Sequence, residues 1–310
     1  MTTVAQGGAS PISTDSSPSL APVVGDLVAA FQARTPIRAW SLIVTVYGDA
    51  IVPRGGVLWL GSLIDLLAVF GVAPGLVRTA ASRLTSDDWL MRSRVGRKSY
   101  YRLSPRGRAA FAEATRRIYF ARSEAWDGRF RIAVLDDGGE SNRVDVRRTL
   151  EEAGFGAVAP TVLIAPSVTA LPDGSPDCVL MEARAVVGED GRRLAARAWP
   201  LQRIAAGYER FIAQFAPLQS ALAGGHALSP LDALVARILL VHEFRRIILR
   251  DPELPAGLLP DNWPGASARA LSAGLYRQLL DGSEAWLDGH ALCEDGPLPP
   301  PAPEFYERFA

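Results

Sequence analysis

Several features that define common protein classes are missing from this chain or rare in it. The 310 residues include only two cysteines, Cys178 and Cys293, which lie far apart and lack CxxC spacing. Free thiols in a reducing compartment are the simplest interpretation. The N-terminus lacks the basic and apolar regions of a secretory signal, and no apolar run reaches membrane-spanning length. These absences predict a cytoplasmic protein with no membrane partner.

Enzyme motifs are also missing. The chain has neither a glycine-rich phosphate loop nor a GxSxG nucleophile elbow. His242-Glu243 begins like the zinc motif HExxH, but Arg246 stands where the second histidine would be. We therefore interpret His242 as a hydrogen-bonded structural histidine rather than a zinc ligand or a catalyst. We predict no enzymatic activity, no cofactor and no metal site.

The composition fits a globular protein of two or three domains. Hydrophobic residues make up 48% of the chain, enough for a sizeable core. The formal net charge is zero, but between residues 76 and 131 fourteen basic residues face five acidic ones, which leaves +9 there. A basic module joined to an acidic remainder is typical of a protein that attracts phosphates through one face.

The segment 59–103 carries the strongest functional signal. Apolar residues at 60, 63, 64 and 67 have the spacing of one buried helix face, and Gly71 and Pro74 end that helix. A second helix follows, with Val77, Ala80 and Leu84 on its apolar stripe. The opposite flank holds only arginines and small hydroxyl residues, which can contact bases or phosphates in a major groove. These residues are Arg78, Thr79, Ser82, Arg83 and Ser86.

A basic hairpin follows this second helix. Residues 90–95 and 98–103 are expected to pair across a tip at Gly96, whose cations suit contacts to the phosphate backbone. Together these elements describe a winged helix-turn-helix, whereas the alternative is an ordinary α+β surface domain with an arginine-rich face. The predicted DNA-binding residues are Arg78, Thr79, Ser82, Arg83, Arg94, Arg97, Lys98 and Tyr100.

The N-terminal region is expected to consist of a tail and two further helices. Residues 1–35 are assigned to a disordered tail because the first twenty-two are rich in Ser, Pro and Gly and nearly uncharged. A helix is expected from Ile37, since Trp40, Ile43, Val44 and Tyr47 repeat the buried-face spacing. Another is expected after Ser104, running to about residue 122.

The middle of the chain, 124–198, reads as a small α+β unit. Residues 129–135 form an expected strand, 141–153 a helix, and 158–165 and 178–187 two more strands. This order suggests a ferredoxin-like domain. Small CRISPR-associated nucleases with that fold place an aspartate at the end of the first strand, where Asp136 or Asp137 stands. We favour a simple turn there, because one carboxylate without further ligands is a poor metal site.

The last third is predicted to be mainly helical. Leu231, Leu234, Val235 and Ile238 mark one face of a long helix that reaches about Arg250. Prolines then punctuate an irregular connection, and a further helix is expected from about 267 to 280. Residues 291–310 are assigned to a loosely ordered tail.

A set of short motifs is distributed over the chain from about residue 37 to 290. The motifs are SLIVTVYGD at 41–49, PRGG at 53–56, WLGSL at 59–63, LVRT at 76–79, GRKSYYRL at 96–103, HEFRR at 242–246, LRDP at 249–252, LLP at 258–260 and NWPG at 262–265. This combination is specific, and in it the chain resembles the PaaX family, the bacterial repressors of phenylacetate catabolism.

The resemblance implies an architecture and a function. The expected fold is α+β, with an N-terminal winged helix-turn-helix over 36–123, a central ferredoxin-like domain over 124–198 and a mainly helical C-terminal domain over 199–290. The expected function is a homodimeric repressor on a double-stranded DNA operator with two half-sites. An aryl-acyl-CoA effector such as phenylacetyl-CoA would release it. The alternative is an acyl-CoA-binding sensor or enzyme whose winged domain mediates protein contacts.

An effector of this kind needs arginines for its phosphates and apolar walls for its acyl end. Basic and aromatic residues are close in sequence on and after the long C-terminal helix. Alternatively, the arginines bridge domains or form salt links with Glu243, Asp251 and Glu253. The candidate effector-binding residues are His242, Phe244, Arg245, Arg246, Arg250 and Trp263.

Overall fold

A computed structural model describes residues 21–34, 38–120, 126–136, 140–172 and 177–309. The expectations for residues 1–20, for the helix start at Ile37, for the helix end near 122 and for Asp137 lie outside these ranges. Among the described helices, none combines the length and hydrophobicity that a membrane crossing requires.

The N-terminal part contains five helices and a three-stranded sheet. The sheet has the order β1-β3-β2 and is antiparallel throughout. Both helices and both hairpin strands predicted within 59–103 are present. The elements are α1 (Pro22–Gln32), α2 (Ala39–Val46), a π-helical turn (Tyr47–Ile51), a 3-10 turn (Val52–Arg54), β1 (Val57–Trp59), α3 (Leu60–Ala68), α4 (Pro74–Ser86), β2 (Leu90–Val95), β3 (Lys98–Leu103) and α5 (Pro105–Tyr119).

Helix α1 corrects the predicted tail over 1–35. Val24, Leu27, Val28 and Phe31 are all buried, and their spacing is that of one amphipathic helix face. Proline at the first position suits a helix start, because its missing N–H would be unpaired there anyway. The low charge of the preceding residues hid this short helix in a stretch that reads as disordered.

The buried face predicted for α4 is confirmed, whereas the one predicted for α2 is wrong at one residue. The stripe of α4 is confirmed, since Val77, Ala80, Ala81 and Leu84 are buried. In α2 the expectation for Trp40 is wrong, because its side chain is 43% exposed. Helix α2 turns its Leu42 and Val46 inward instead, and its polypeptide continues into the π-helical turn.

The central part is a four-stranded antiparallel sheet with one helix on each face. The strand order is β5-β6-β4-β7. The predicted order of strand, helix, strand, strand is present except that the single strand expected over 158–165 is two strands, β5 and β6, joined by a turn at 160–161. Between β6 and β7 the described residues contain no helix. The elements are β4 (Arg129–Leu135), α6 (Glu140–Glu152), β5 (Gly156–Ala159), β6 (Val162–Pro166), β7 (Cys178–Arg184) and α7 (Gly188–Ala198).

Three long helices form the C-terminal part. Helix α9 begins with a capping box, in which Ser229 and Asp232 satisfy each other's backbone N–H groups. The segment after α10 corrects the loosely ordered tail expected over 291–310, because Leu298, Phe305 and Phe309 are buried. The elements are α8 (Leu201–Ala223), α9 (Pro230–Ile248), α10 (Gly265–His290), β8 (Leu292–Cys293), β9 (Gly296–Pro297) and 3-10 turns at Ala256–Leu258 and Pro303–Glu307.

One hydrophobic core joins the N-terminal and C-terminal parts. It runs without interruption from the buried faces of α1 to α5 into those of α8, α9 and α10. Helix α9 packs against α1, α2 and α5 as well as against α8 and α10. The N-terminal and C-terminal parts therefore share one hydrophobic core, while the central sheet has two separate small cores on its own faces.

Candidate functional site

The flank of α4 opposite its buried stripe is open to solvent. Arg78, Thr79, Ser82 and Arg83 are all exposed. Arg78 makes no hydrogen bond or ion pair with any described residue, and Arg83 only approaches Asp87 at 3.6 Å with its side chain 75% exposed. Such a weak surface pair leaves the guanidinium available to another partner.

The tip of the β2–β3 hairpin carries a second exposed cationic group. Gly96, at φ 58°, allows the tight turn, and Arg94 Nε donates to its carbonyl at 3.2 Å. Arg97 and Lys98 are exposed. Lys98 Nζ lies 4.9 Å from the centroid of the Trp59 ring on β1, which holds the lysine beside the sheet.

The expectation for Tyr100 is wrong. Tyr100 is 5% exposed and lies opposite Trp59 of β1 and Ser93 of β2 within the sheet. Neighbouring Tyr101 is buried as well, on the other face. Alternation along a half-buried strand predicts that one of two neighbouring tyrosines is exposed. Both faces of β3 are covered, so Tyr100 is buried as well.

A carboxylate from the C-terminal segment holds the base of this hairpin. Arg102 Nη2 donates to both carboxylate oxygens of Glu294 at 2.9 Å, and Ser93 Oγ donates to the same group. These bonds lower the pKa of Glu294 below its ordinary value, with the Ser93 hydroxyl as the main cause. The hairpin is thus fastened to residues that the sequence assigned to a tail.

A cleft of about 470 Å³ opens where α1, α2 and α9 meet. One face of α9 and the ends of α1 and α2 supply five arginines, which are Arg34, Arg38, Arg245, Arg246 and Arg250. The acid beside them is Glu243, which accepts from Arg34 at 2.5 Å and lies 3.5 Å from Arg246. The excess of positive charge suits a ligand with several negative charges.

His242 forms part of the cleft wall and is held neutral. Its Nδ1 lies 2.9 Å from Thr45 Oγ1, and its ring meets the edge of Phe31 at 5.6 Å between centroids. Burial, together with the charges of Arg245, Arg246 and Arg34, lowers the pKa of His242 to about 3. The imidazole therefore contributes shape and hydrogen bonding rather than charge.

Arg245 connects the cleft to helix α2. Its Nη2 donates to the Ser41 carbonyl at 2.8 Å and to Ser41 Oγ at 2.7 Å, and its Nε donates to Thr45 Oγ1 at 2.8 Å. Burial lowers the pKa of Arg245 to about 10, so the group stays charged at neutral pH. This guanidinium, held by three hydrogen bonds, is a fixed positive charge between two helices.

An apolar cavity of about 220 Å³ lies behind Arg245, between α2, α5 and α9. Its walls include Val44, Phe111, Ile118 and Val241. Arg245 and Leu249 line both this cavity and the arginine cleft. An apolar space and a cationic space therefore share a boundary, which is the arrangement that a ligand with a charged part and an apolar end requires.

Comparisons with known proteins identify the family of the chain. A family model described as PaaX-like protein matches residues 38–107, and one described as PaaX-like protein C-terminal domain matches residues 199–289. The chain is 36% identical over 286 residues to Transcriptional repressor PaaX of Escherichia coli (strain K12), covering 88% of this chain and 90% of that protein. The chain belongs to the PaaX family.

A solved structure shares the fold of this PaaX-family protein. Uncharacterized protein Rv0674 from Mycobacterium tuberculosis aligns with a TM-score of 0.51 and 26% sequence identity. The alignment covers 73% of this chain and 89% of that chain. The regions matched by the two family models contain α4, the β2–β3 hairpin and α9.

Of the six residues expected at the effector site of this PaaX-family protein, four line the cleft and two do not. His242, Arg245, Arg246 and Arg250 do line the cleft. Phe244 does not, because it is 1% exposed and packs in the core against Phe211, with 5.5 Å between the ring centroids. Consecutive positions on a helix point in different directions, so Phe244 could not join its neighbours in the cleft.

Trp263 is also misplaced in the sequence-based prediction. It packs edge-on against Tyr208 at 6.0 Å between ring centroids, on the side of α8. The alternative of salt links holds for Arg246 with Glu243, whereas Glu253 pairs with Arg117 of α5 and Asp251 accepts from Tyr208. No described residue forms an ion pair with Arg250.

Sequence reasoning missed the half of the cleft that α1 and α2 supply. Arg34, Arg38 and Trp40 all line it, together with Phe31 and Ser41. The signal in the sequence was the pair of basic residues after the apolar face of α1, but it fell in the stretch assigned to a tail. A cleft formed between distant segments also depends on tertiary packing.

Beneath the cavity, a buried charge network ties three parts of the chain together. Arg237 Nε of α9 lies 2.8 Å from Asp49 Oδ2 in the π-helical turn, and both side chains are completely buried. Tyr119 and Tyr276 donate to Asp49 Oδ1 at 2.8 and 2.9 Å, and Arg308 Nη1 lies 3.4 Å from it. Burial and the Asp49 carboxylate hold the pKa of Tyr119 well above its ordinary value, so the phenol remains a donor.

Asp136 and Asp137 were the two alternatives for an aspartate at the end of the first strand of the central sheet. Asp136, which lies among the described residues, is exposed at the end of β4. Within the described residues there is no group of three or more potential metal ligands.

Proposed function

We propose that this protein is a DNA-binding transcriptional repressor that acts as a homodimer in the cytoplasm. The observation that carries the proposal is the exposed arginine and hydroxyl flank of α4 beside the cationic tip of the β2–β3 hairpin. In this proposal α3 and α4 form the helix-turn-helix of a winged domain, and α8 to α10 form the helical domain. The elements from β4 to α7 form a ferredoxin-like domain with no helix among the described residues between β6 and β7.

In this proposal the two cationic groups have different roles. Helix α4 would enter the major groove with Arg78 and Arg83 toward base edges, since arginine can pair bidentately with guanine. Arg94, Arg97 and Lys98 would contact phosphates, which set position and affinity without reading sequence. Two copies would then occupy two half-sites and block transcription by occupancy.

The PaaX family is one of transcriptional repressors rather than enzymes. The name of the Escherichia coli relative, Transcriptional repressor PaaX, supports the role of a repressor for this chain. In this proposal the repressed operon serves an aromatic compound of the phenylacetate type. The free arginines of α4 are the feature of this chain that such a role requires.

The effector in this proposal is an aryl-acyl-CoA such as phenylacetyl-CoA. Its phosphates would bind the arginine cleft, and its aryl end would enter the apolar cavity past Arg245 and Leu249. Phosphate groups and an aromatic tail on one molecule match a cationic space that borders an apolar one.

Release of DNA would follow from the position of α2. This helix is bonded to Arg245 on one side and packs against α4 on another. A ligand that prefers a different spacing between α2 and α9 would shift α4 relative to the hairpin and to the second copy. Energetically, the ligand must bind that released conformation more tightly.

A gel-shift titration with the protein's own upstream DNA tests the proposal. We expect a specific shift at moderate salt, reversed by phenylacetyl-CoA and not by free CoA or phenylacetate alone. The absence of a shift at low salt would contradict DNA binding. A shift that no acyl-CoA reverses would support DNA binding and contradict the proposal that an acyl-CoA is the effector.

A further inference from the structure

Trp40 is an exposed tryptophan in the wall of the arginine cleft. All seven tryptophans of the chain lie among the described residues, and Trp40 is the most exposed of them, at 43%. It is the second residue of α2 and lines the cleft together with Arg38 and Ser41. Tryptophan has a large, flat, apolar surface, so an exposed one inside a cleft is available for contact with a ligand.

The ring of Trp40 has no partner in the described part of the chain. No aromatic ring pairs with it there, no cation lies over it, and its Nε1–H donates no hydrogen bond to a described residue. In contrast, Trp59 has Lys98 beside its ring and Trp263 packs edge-on against Tyr208. The aromatic face of Trp40 is therefore open to a ligand ring.

Two arginines of the same cleft also lack partners. The side chains of Arg38 and Arg250 are exposed and form no hydrogen bond or ion pair with any residue that the structure describes. Helix α2 begins at Ala39, so the positive end of its dipole lies beside Arg38. An open aromatic ring next to converging positive charges suits a nucleotide, because a base has a π-face and its phosphates are anionic.

The position of Trp40 also fits the two-part ligand of the proposed function. Trp40 lines the cleft but not the apolar cavity, whereas Arg245 and Leu249 line both. A ligand whose acyl end enters the cavity past Arg245 therefore keeps its other end in the cleft with Trp40. At about 470 Å³ the cleft has the size of a small-molecule site.

We propose that Trp40 stacks on the purine ring of a nucleotide whose phosphates bind the arginines of this cleft. The proposal rests on the proposed function in its choice of a CoA ester, of which this purine is the adenine. Trp40 is then a specificity-determining residue, because the arginines alone do not distinguish a nucleotide from another polyanion. Stacking on an aromatic side chain is strong enough to set that preference.

Stacking on Trp40 would also connect the nucleotide with the helix that positions α4. Helix α2 packs against both α9 and α4. A base on Trp40 of α2, with phosphates on Arg246 and Arg250 of α9, bridges these two helices. The nucleotide end of the ligand therefore acts on the same spacing between α2 and α9 that the proposed release of DNA requires.

Calorimetry of the full-length protein with adenosine 3′,5′-bisphosphate tests the stacking. This probe carries the base and phosphates on both sides of the ribose, but no acyl group. Trp40→Ala weakens its binding about tenfold or more, whereas Trp40→Phe, which keeps a ring to stack on, loses only a few-fold. The matched control is Tyr306→Ala, at a 59% exposed aromatic position outside the cleft, which leaves binding unchanged.

Inorganic pyrophosphate and a pyrimidine probe separate stacking from a structural role. Pyrophosphate has no base, so Trp40→Ala leaves its binding unchanged, whereas Arg38→Ala weakens the binding of both pyrophosphate and the adenosine probe. Wild type binds the adenosine probe more tightly than cytidine 3′,5′-bisphosphate, and Trp40→Ala removes this preference. Equal losses for the adenosine probe and pyrophosphate in Trp40→Ala overturn the proposal, as does a wild-type protein that does not bind the adenosine probe.

Tryptophan fluorescence reports the contact directly. Adenosine 3′,5′-bisphosphate quenches the emission of the wild-type protein, because the stacked base lies on an indole ring. Trp40→Phe loses most of this quenching although it still binds the probe in calorimetry. Quenching as large in Trp40→Phe as in wild type assigns the contact to another tryptophan and overturns the proposal.

DNA release by phenylacetyl-CoA, measured on the same variants, distinguishes this proposal from the proposed function. Binding of the adenosine probe through Trp40, in a protein whose DNA complex phenylacetyl-CoA does not release, supports the stacking site and contradicts the effector. Release from Trp40→Ala at the same phenylacetyl-CoA concentration as from wild type supports the effector and overturns the stacking. If both proposals hold, Trp40→Ala needs about ten times more phenylacetyl-CoA for half-maximal release.

Discussion

Two surfaces of this protein are rich in arginine, and they differ in how the arginines are held. On α4 and the hairpin tip the cations are spread along an exposed surface, and Arg78 has no ionic partner among the described residues. In the cleft between α1, α2 and α9 they converge, and Arg245 is fixed by three hydrogen bonds. Free side chains can adapt to a long polyanion, whereas fixed ones define a site for a small anion next to an apolar space.

The largest expected effect is a loss of stability when the buried charge network around Asp49 is broken. Arg237→Ala leaves the carboxylate of Asp49 buried without the nearer of its two ion-pair partners, and we expect the free energy of unfolding to fall by about 3–5 kcal/mol. Chemical denaturation measures the loss. Arg210→Ala, at an exposed position on α8, is the control and should change stability little. A loss below about 1 kcal/mol for Arg237→Ala would show that Arg308 alone satisfies Asp49.

A pH effect on stability is expected from the wall of the cleft. The pKa of His242 is lowered to about 3 in the folded protein, so below an ordinary unfolded value of about 6.5 the unfolded chain binds the extra proton. Stability contributed by His242 is complete above that pH and falls by about 1.4 kcal/mol per pH unit as the pH drops toward 3. Denaturation of wild type and His242→Gln at pH 7 and near pH 5 should show this slope only in wild type.

Effector affinity should depend on the exposed arginines of the cleft. Arg246→Ala removes a charged donor whose side chain is 43% exposed, and we expect phenylacetyl-CoA binding to weaken by about 1.5–3 kcal/mol in calorimetry. DNA affinity without effector should be unchanged. The same Arg210→Ala variant provides the comparison. Equal weakening of DNA binding by Arg246→Ala would mean that the two surfaces do not have separate ligands.

The flank of α4 should carry sequence discrimination. Arg78→Ala or Arg83→Ala should cost about 1–3 kcal/mol on the specific site if either side chain contacts a guanine, and much less on random DNA. Gel-shift titrations on both DNAs give the difference. Equal loss on specific and random DNA would assign these arginines to the phosphate backbone.

The smallest change is expected at the hairpin tip. Arg97→Ala should weaken specific and random DNA about equally and reduce the slope of log affinity against log salt by about 1. Titrations at several salt concentrations measure it. A selective loss on the specific site would indicate that the hairpin reads bases.

The sequence predicted local features well and assembly poorly. The stripe of α4, the hairpin and the strand succession of the middle region follow from spacing and turn residues, which act over a few positions. The cleft could not be found this way, because Arg34 and Arg38 come from segments more than two hundred residues from Arg245. Phe244 was misassigned for the same reason, since neighbours in sequence on a helix face different surroundings.

The prediction of a tail is wrong for the described residues 21–34 and 291–309, because composition describes a segment alone and not its partners. The segment after α10 is rich in proline, yet Phe305 and Phe309 bury their rings against Tyr276. Aromatic side chains of that size provide enough burial to order a short segment.

The contacts of residues 291–309 also determine where the chain can be truncated or joined to a tag. Glu294 secures the β2–β3 hairpin, and Arg308 reaches the Asp49 carboxylate behind the cavity. Deletion of residues 291–309 would therefore loosen both ligand surfaces at once, although it removes no residue of α4 or α9. Affinity tags and reporter fusions are better attached ahead of α1, and a shortened variant that loses repression would say nothing about either binding surface by itself.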